Sequence, residues 1–283
     1  MEKTAFKELK DKVCVITGGA GVIGSAIVKG LSSVGMKVVI LDINGKLAAE
    51  VAGRIQAETG NPVLGLQADV LSRESLEAAR DAIHQKAGRI SCLINGAGGN
   101  SPKATTQVET MDPSAKGDWE KTFFGLQMEG FDWVFDLNFK GTLLPSMILG
   151  RDMVEDGKGS ILNISSMNSY KPLTKIPAYS AAKAAVNNFT QWLAVHLART
   201  GVRVNAIAPG FFLTEQNRFL LVDEKTGEVT PRGRKIITST PMGRYGEVEE
   251  LQGTVLFLLS DLAAFVTGIV IPVDGGYSAY GGV

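Results

Sequence analysis

Little in this chain is in excess. Its 283 residues include two cysteines, two histidines and ten prolines, and its 29 basic residues are matched by 29 acidic ones. Two cysteines cannot build a disulfide framework. Cys14 and Cys92 each sit in a short apolar run, where a free thiol is usually a small buried hydrophobe. The charge balance leaves no electrostatic footprint for nucleic acid or an anionic membrane surface. His84 and His196 fall far apart on expected helices, so neither a metal site nor a histidine-based triad is indicated, and both are read as surface or packing residues. The most apolar stretch, Val255 to Val273, is interrupted by Ser260-Asp261, Gly268 and Pro272 and is too broken for a spanning helix. The charged start, Met1 to Lys10, lacks the apolar centre of a signal peptide, and the expectation is a cytoplasmic protein.

What the chain does contain is apolar material, at 45% of residues, and 33 glycines. That composition describes a globular fold with a large core and excludes disordered, collagen-like and coiled-coil chains. Short apolar runs alternate with helical-period segments: Val13–Ile16, Lys37–Leu41, Val63–Leu66, Ile90–Ile94, Ser160–Ile164, Arg203–Ile207 and Ile269–Val273 read as strands. These runs lack polar/apolar alternation, which points to a parallel sheet covered by helices on both faces. The expected helices run to Val34, to Glu58, over Ser72–Lys86, Phe131–Val154, Ala178–Arg199 and Val248–Leu259. No linker divides the series, so residues 1–283 are expected to form one domain. Two segments break the rhythm, one of about 99–130 and one of about 211–245. Both follow strands of an open α/β sheet, on the side where ligands bind.

Directly after the first strand comes Thr17-Gly18-Gly19-Ala20-Gly21-Val22-Ile23-Gly24, opening a helix. Glycines there let backbone turn sharply and approach a pyrophosphate, which the helix N-terminus would receive. Asp42 ends the second strand. A carboxylate at that place accepts hydrogen bonds from ribose hydroxyls and repels a 2′-phosphate, which favours NAD over NADP; a helix-capping or turn role is the alternative. Further on, Ser166 follows the strand at Ser160–Ile164. Tyr179 and Lys183 are four apart and so share a helix face, where an ammonium can make a phenol a usable acid or base. Alone such a pair also suits a solvated helix face. A serine at a strand end just before it favours the catalytic reading.

With these motifs the chain resembles the short-chain dehydrogenase/reductase superfamily. The likeness extends through Asp69-Val70, Asn95-Gly96-Ala97-Gly98, Asn138, Tyr179-Ser180-Ala181-Ala182-Lys183, Asn205, Pro209-Gly210, Thr214 and Asp274-Gly275-Gly276. It implies an α/β, Rossmann-like, doubly wound parallel sheet of seven strands with helices on both faces, dependence on NAD(P), and a homotetramer. It also implies roles. Tyr179 is general acid in ketone reduction and general base in alcohol oxidation, Ser166 hydrogen-bonds the substrate oxygen, Lys183 binds the nicotinamide ribose and depresses the tyrosine pKa, and Asn138 holds a relay water. Asp69 and Val70 meet the adenine, Asn95 supports the central strand, and Pro209, Gly210, Phe212 and Thr214 cover the nicotinamide. Gly18, Gly21, Val22, Ile23, Gly24, Gly96 and Ala97 complete the cofactor set. One departure stands out: Val22 occupies the place of the usual middle glycine, and the loop is expected to shift its glycine to Gly21.

Val22, the enlarged loop to Gly130, the run Asn95 to Thr106 and Ser166-Met167-Asn168 together resemble the short-chain type of D-mannonate oxidoreductases. That likeness implies NAD-linked interconversion of D-fructuronate and D-mannonate at C5. A polyhydroxy acid needs a cation and several amides or hydroxyls. Asn100, Lys103, Asn168 and Arg218 are the candidates, each with a plain surface or turn role as its alternative. Gluconate 5-dehydrogenase or another polyol dehydrogenase remains open, as does a non-catalytic dinucleotide-sensing protein.

Overall fold

The computed structural model describes residues 6–112, 114, 117–213, 221 and 228–282. Its centre is one sheet of seven strands, all paired in parallel: β1 (Val13–Thr17), β2 (Lys37–Asp42), β3 (Val63–Gln67), β4 (Ile90–Asn95), β5 (Gly159–Ile164), β6 (Val202–Pro209) and β7 (Val270–Val273). Their order across the sheet is β3-β2-β1-β4-β5-β6-β7. The chain winds outward one way from β1 and the other way from β4, and the cleft between those two strands is where such sheets receive ligands.

Strand periodicity divides the core into two layers. Cys14 and Ile16 point to one face, with Val38, Ile40, Cys92 and Ile94. Helices α1 (Val22–Ser33) and α2 (Gly45–Thr59) cover that face. Val13 and Val15 point to the other face, with Val39, Leu41 and Leu93, under α3 (Arg73–Lys86). Because both faces are covered, every residue of β1 is buried and the strand shows no polar alternation. Each large side chain so enclosed contributes on the order of 1.5–3 kcal/mol. Cys14 and Cys92 are buried register partners across β1 and β4 with free thiols.

One expected helix is broken. Phe131–Val154 divides into α4 (Met128–Phe135), a wide π turn at Asp136–Lys140, α5 (Gly141–Leu149) and α6 (Arg151–Glu155). The cause is Asn138: its Nδ2 donates to Val134 O at 2.8 Å, taking a carbonyl that the regular helix ladder would use. Helix α7 (Pro177–Leu197) starts with proline at its first position, where the missing N–H costs nothing. Its buried face, Ala178, Ala182, Val186, Phe189 and Leu193, packs it down and sets the stripe one residue along toward the strand ends.

Of the two segments without clear periodicity, the described residues of 99–127 form only short 3₁₀ turns before α4 begins at Met128, but 211–245 contains an unexpected helix, α8 (Pro231–Thr238). Thr230 caps it by accepting the Gly233 N–H at 3.0 Å. The last helix is α9 (Leu251–Leu259), which joins the α1 face. His84 pairs with the buried Asp152 at 2.7 Å and ties α3 to α6, while His196 stacks on Trp192. No helix among the described residues is long and apolar enough to cross a membrane.

Candidate active site

The strand ends of β1, β4 and β5 open into a cavity of about 660 Å³. At one end lies the turn after β1. Gly18 has φ of 65°, and a Cβ there would stand 2.8 Å from Ala97 Cα. Gly24 is more crowded, since its Cβ would lie 2.5 Å from Gly18 O and 2.7 Å from Gly19 Cα. Those two positions demand glycine. Gly21 does not demand it in the same way: its φ is −68°, and its Cβ would come no closer than 3.4 Å to Gly18 O. Val22 is simply the first residue of α1, so the missing middle glycine costs the turn nothing and no shift of glycine is required. No side chain among the described residues caps α1, whose first-turn residues line the cavity with their N–H groups unused by the helix.

Asp42 lines the same cavity from the end of β2, and its Oδ1 also accepts the Asn44 N–H at 3.0 Å. The cap of α2 is Asn44, which accepts the Leu47 N–H at 3.1 Å, so Asp42 holds the turn before the helix and does not cap it. The turn after β4 is fastened to β1 by Thr17, whose Oγ1 accepts the N–H groups of Gly96 at 3.1 Å and Ala97 at 3.2 Å. Thr17 is fully buried and was not singled out as a site residue, although it begins the glycine-rich run that was.

At the other end, Ser166, Tyr179 and Lys183 line the wall. Lys183 is buried, donates from Nζ to Ile164 O at 2.8 Å, and stands 5.7 Å from the Tyr179 ring centre. Burial lowers its pKa to about 8. Burial also pushes the Tyr179 phenol above its ordinary value, and a hydrogen bond with Ser166 pulls it partly back. The neutral phenol is thus the resident form at neutral pH, a proton donor held beside a hydroxyl. Asn138 is fully buried behind them, and its amide is engaged by the backbone of the β4 turn: Nδ2 donates to Gly99 O at 2.7 Å and Oδ1 accepts from Gly99 N at 3.3 Å.

Other expected residues divide into three groups. Gly96, Ala97, Pro209, Gly210 and Phe212 line the cavity. Asn95, Asp69 and Val70 do not. Asn95 is buried and joins β4 to α5 and β5, through Ser146 Oγ at 2.9 Å and Asn163 Oδ1 at 2.8 Å. Asp69 accepts the Leu71 N–H at 2.8 Å, and Val70 packs beside Gly141. Thr214 and Arg218 lie outside the described residues.

The substrate candidates separate as well. Lys103 pairs with Glu129 at 2.8 Å and, with Asn100, lines a different concavity beside Trp133. Asn168 stays next to the chemistry, in the turn after Ser166, where its N–H reaches Ser166 Oγ at 3.2 Å. Its side chain is buried and is not among the cavity-lining residues, and Oδ1 has no hydrogen-bond partner among the described residues. A buried acceptor left unpaired is costly, and a ligand hydroxyl would satisfy it.

Asn187, one turn beyond Lys183, belongs to the same site. It accepts from Ser165 Oγ at 2.5 Å and donates to Ser169 Oγ at 2.7 Å, while Ser169 Oγ donates to Ser166 O at 2.6 Å. The Tyr-x-x-x-Lys spacing extended by one more turn is the signal that could have found it.

Comparison with known proteins agrees with this geometry. The family described as enoyl-(acyl carrier protein) reductase matches residues 18–278. The uncharacterized oxidoreductase UxuB of Bacillus subtilis is 49% identical over 278 residues, covering 98% of both chains. A solved structure from Haemophilus influenza, provisionally assigned as a D-mannonate oxidoreductase and holding NAD, superposes with a TM-score of 0.92 at 47% identity, over 97% of this chain and 98% of that one. A gluconate 5-dehydrogenase from Burkholderia cenocepacia, in complex with NADP and tartrate, gives 0.81 at 30% identity, over 99% of this chain and 100% of that one.

Proposed function

The chain belongs to the short-chain dehydrogenase/reductase family of oxidoreductases, and from that premise we propose that it uses NAD(H) to interconvert the ketone of D-fructuronate and the secondary alcohol of D-mannonate. The observation that carries the reading is the shared cavity, with Ser166, Tyr179 and Lys183 at one end and the turn of Gly18 and Gly24 at the other. Its shape suits a dinucleotide: backbone stands where a Cβ would otherwise fill the turn, and α1 offers unused N–H groups to a pyrophosphate. Asp42 meets the ribose hydroxyls and opposes a 2′-phosphate, which selects NAD.

When bound, the cofactor supplies or accepts the hydride. The chain's own residues handle position and proton. Ser166 Oγ hydrogen-bonds the carbonyl oxygen, and Tyr179 delivers its phenolic proton to that oxygen as charge develops there. In the reverse direction Tyr179 receives the alcohol proton, helped by the nearby ammonium of Lys183. Lys183, fixed on Ile164 O, reaches the nicotinamide ribose, and Asn138 keeps the Gly99 turn against this group. Pro209, Gly210 and Phe212 would cover the nicotinamide, and Asp69 and Val70, although outside the cavity lining, are the proposed adenine contacts. Asn168 offers its unpaired Oδ1 to a substrate hydroxyl.

The likeness to the Haemophilus protein supports the sugar-acid substrate. Gluconate 5-dehydrogenase chemistry is the second reading, favoured by the Burkholderia likeness, though that protein binds NADP. The test is NADH and NADPH oxidation with D-fructuronate and 5-ketogluconate, and the reverse reaction with D-mannonate. Turnover of D-fructuronate with NADH, lost by at least about a thousandfold in Tyr179→Phe, is expected. No turnover of D-fructuronate or D-mannonate would sink the substrate, and an unchanged Tyr179→Phe would sink the mechanism. The assembly is proposed as a homotetramer. Trp192 and Val195 of α7 present apolar surface that partner chains would cover, and light scattering reads the mass.

A further inference from the structure

Among the described residues lining the cavity, Lys183 is the one cation, and it is buried beside Tyr179. A sugar acid brings a carboxylate that needs a cation elsewhere. Segments leaving the ends of β4, β5 and β6 bring charges together next to the cavity wall, although none of these charges is among its lining residues. Lys235 of α8 pairs with Glu109, from the segment after β4, at 2.5 Å. Lys175, four residues before Tyr179, donates to Gln107 O at 2.7 Å, and its own carbonyl accepts the Thr106 N–H at 2.9 Å. Arg232 lies one turn before Lys235 on α8.

One acid therefore stands among three cations, and all three hold the Glu109 carboxyl below its usual range, Lys235 most of all. The helix carrying two of these cations is anchored to the cavity wall. Ile236 belongs to a small cluster packed against Phe211, and Phe211 lines the cavity and meets Tyr277 edge-on. The Lys235 charge is felt at Tyr277 as well. Both partners of the Lys235–Glu109 pair are largely exposed, at 67% and 46%, so little holds them together against a competing anion.

We propose that Lys235, flanked by Arg232 and Lys175, is the recognition site for the carboxylate of an anionic substrate, and that Glu109 occupies it until that carboxylate displaces it. The inference rests on the sugar-acid reading of the substrate. It assigns a purpose to the long segment after β4, which carries the internal stand-in for the ligand's charge.

The Lys235–Glu109 pair can be broken from either side, which makes the inference testable. A pair that merely ties two loops together gives the same change in Lys235→Met and Glu109→Gln. A recognition site gives opposite changes. Lys235→Met raises KM for D-fructuronate by about tenfold while leaving KM for NADH unchanged, and Glu109→Gln lowers KM for D-fructuronate by roughly two- to fivefold. Equilibrium titration of the NADH-bound wild type and both variants with D-mannonate, D-gluconate and the neutral D-mannitol supplies an arm that needs no turnover. Carboxylates binding better than the polyol, with opposite shifts in the two variants, uphold the site even if D-fructuronate is not turned over, in which case only the substrate reading fails. Turnover of D-fructuronate with both variants shifted alike, or not shifted, overturns the site and leaves the substrate reading standing. Absence of both turnover and carboxylate preference overturns both.

Discussion

At the turn after β1 a single added carbon would strike backbone, with Gly24 Cβ placed 2.5 Å from Gly18 O. On the opposite side, contacts are made by the tips of long charged side chains, as in Lys235–Glu109. The cofactor end is built from main chain that cannot move aside, and the substrate end from exposed ion pairs that can exchange partners. A common cofactor calls for the first construction, while the second allows one scaffold to accept different substrates. Lys183 belongs to neither style, as a buried ammonium in the cavity wall.

Lys183→Met tests that charge and should have a larger effect than any change at the glycine turn or in the exposed ion pairs. Activity is expected to fall at least about a hundredfold, because the phenolate loses its neighbouring cation. Stability should move the other way. Burial holds the folded-state pKa near 8, below the ordinary 10.5, so between those values the unfolded chain binds the additional proton. Wild-type stability therefore rises with pH across that window, and below it the buried charge costs up to about 3 kcal/mol. Thermal melts without cofactor should show the variant more stable at pH 7 and the advantage gone by pH 10.5. A variant less stable at pH 7 would mean that the Ile164 carbonyl bond outweighs the burial cost.

Next in size is the contrast between two glycines. Gly24→Ala pushes a methyl group into Gly18 O and Gly19 Cα, and only the phosphate-facing turn can yield. KM for NADH is expected to rise by about tenfold or more. Gly53, inside α2, has nothing within 4 Å of its Cβ position, so Gly53→Ala should leave KM for NADH alone and stabilise by about 0.5–1 kcal/mol. Equal effects of the two substitutions on KM would break the distinction between structural and ligand-facing glycine.

The same contrast governs what could be read from the chain. The strands came within one or two residues of their true bounds, because a parallel sheet buried on both faces writes itself as uninterrupted apolar runs. The cofactor turn was legible because glycine is required at Gly18 and Gly24 by local backbone geometry. The break at Asp136–Lys140 was hidden, since helical periodicity continues through it and only the reach of Asn138 to Val134 O opens the turn. Helix α8 was marked only by Thr230-Pro231, a cap followed by proline. Asn100 and Lys103 follow the β4 turn closely in sequence yet face another concavity, because chain proximity does not fix where a long side chain finds its counter-charge.

The smallest effect concerns how firmly the catalytic serine is aimed, and it tests whether main-chain rigidity extends to the chemical end of the cavity. The Ser166 carbonyl is held by Ser169, Ser169 by Asn187, and Asn187 by Ser165, each through a side-chain hydrogen bond. Asn187→Leu keeps the bulk of the side chain but cuts two of these bonds, freeing the turn while Tyr179 and Lys183 stay on their helix. A fall in kcat of roughly three- to tenfold with KM for NADH unchanged is expected, since a misplaced hydrogen-bond donor weakens transition-state contact more than cofactor binding. The decisive measurement is the double variant. If Asn187 acts only by placing Ser166, then Asn187→Leu added to Ser166→Ala costs nothing further in kcat, because the group it aims is already gone. A loss that multiplies in both backgrounds would instead assign Asn187 to the stability of α7, and the chemical end would then depend on side-chain placement as much as the rim does.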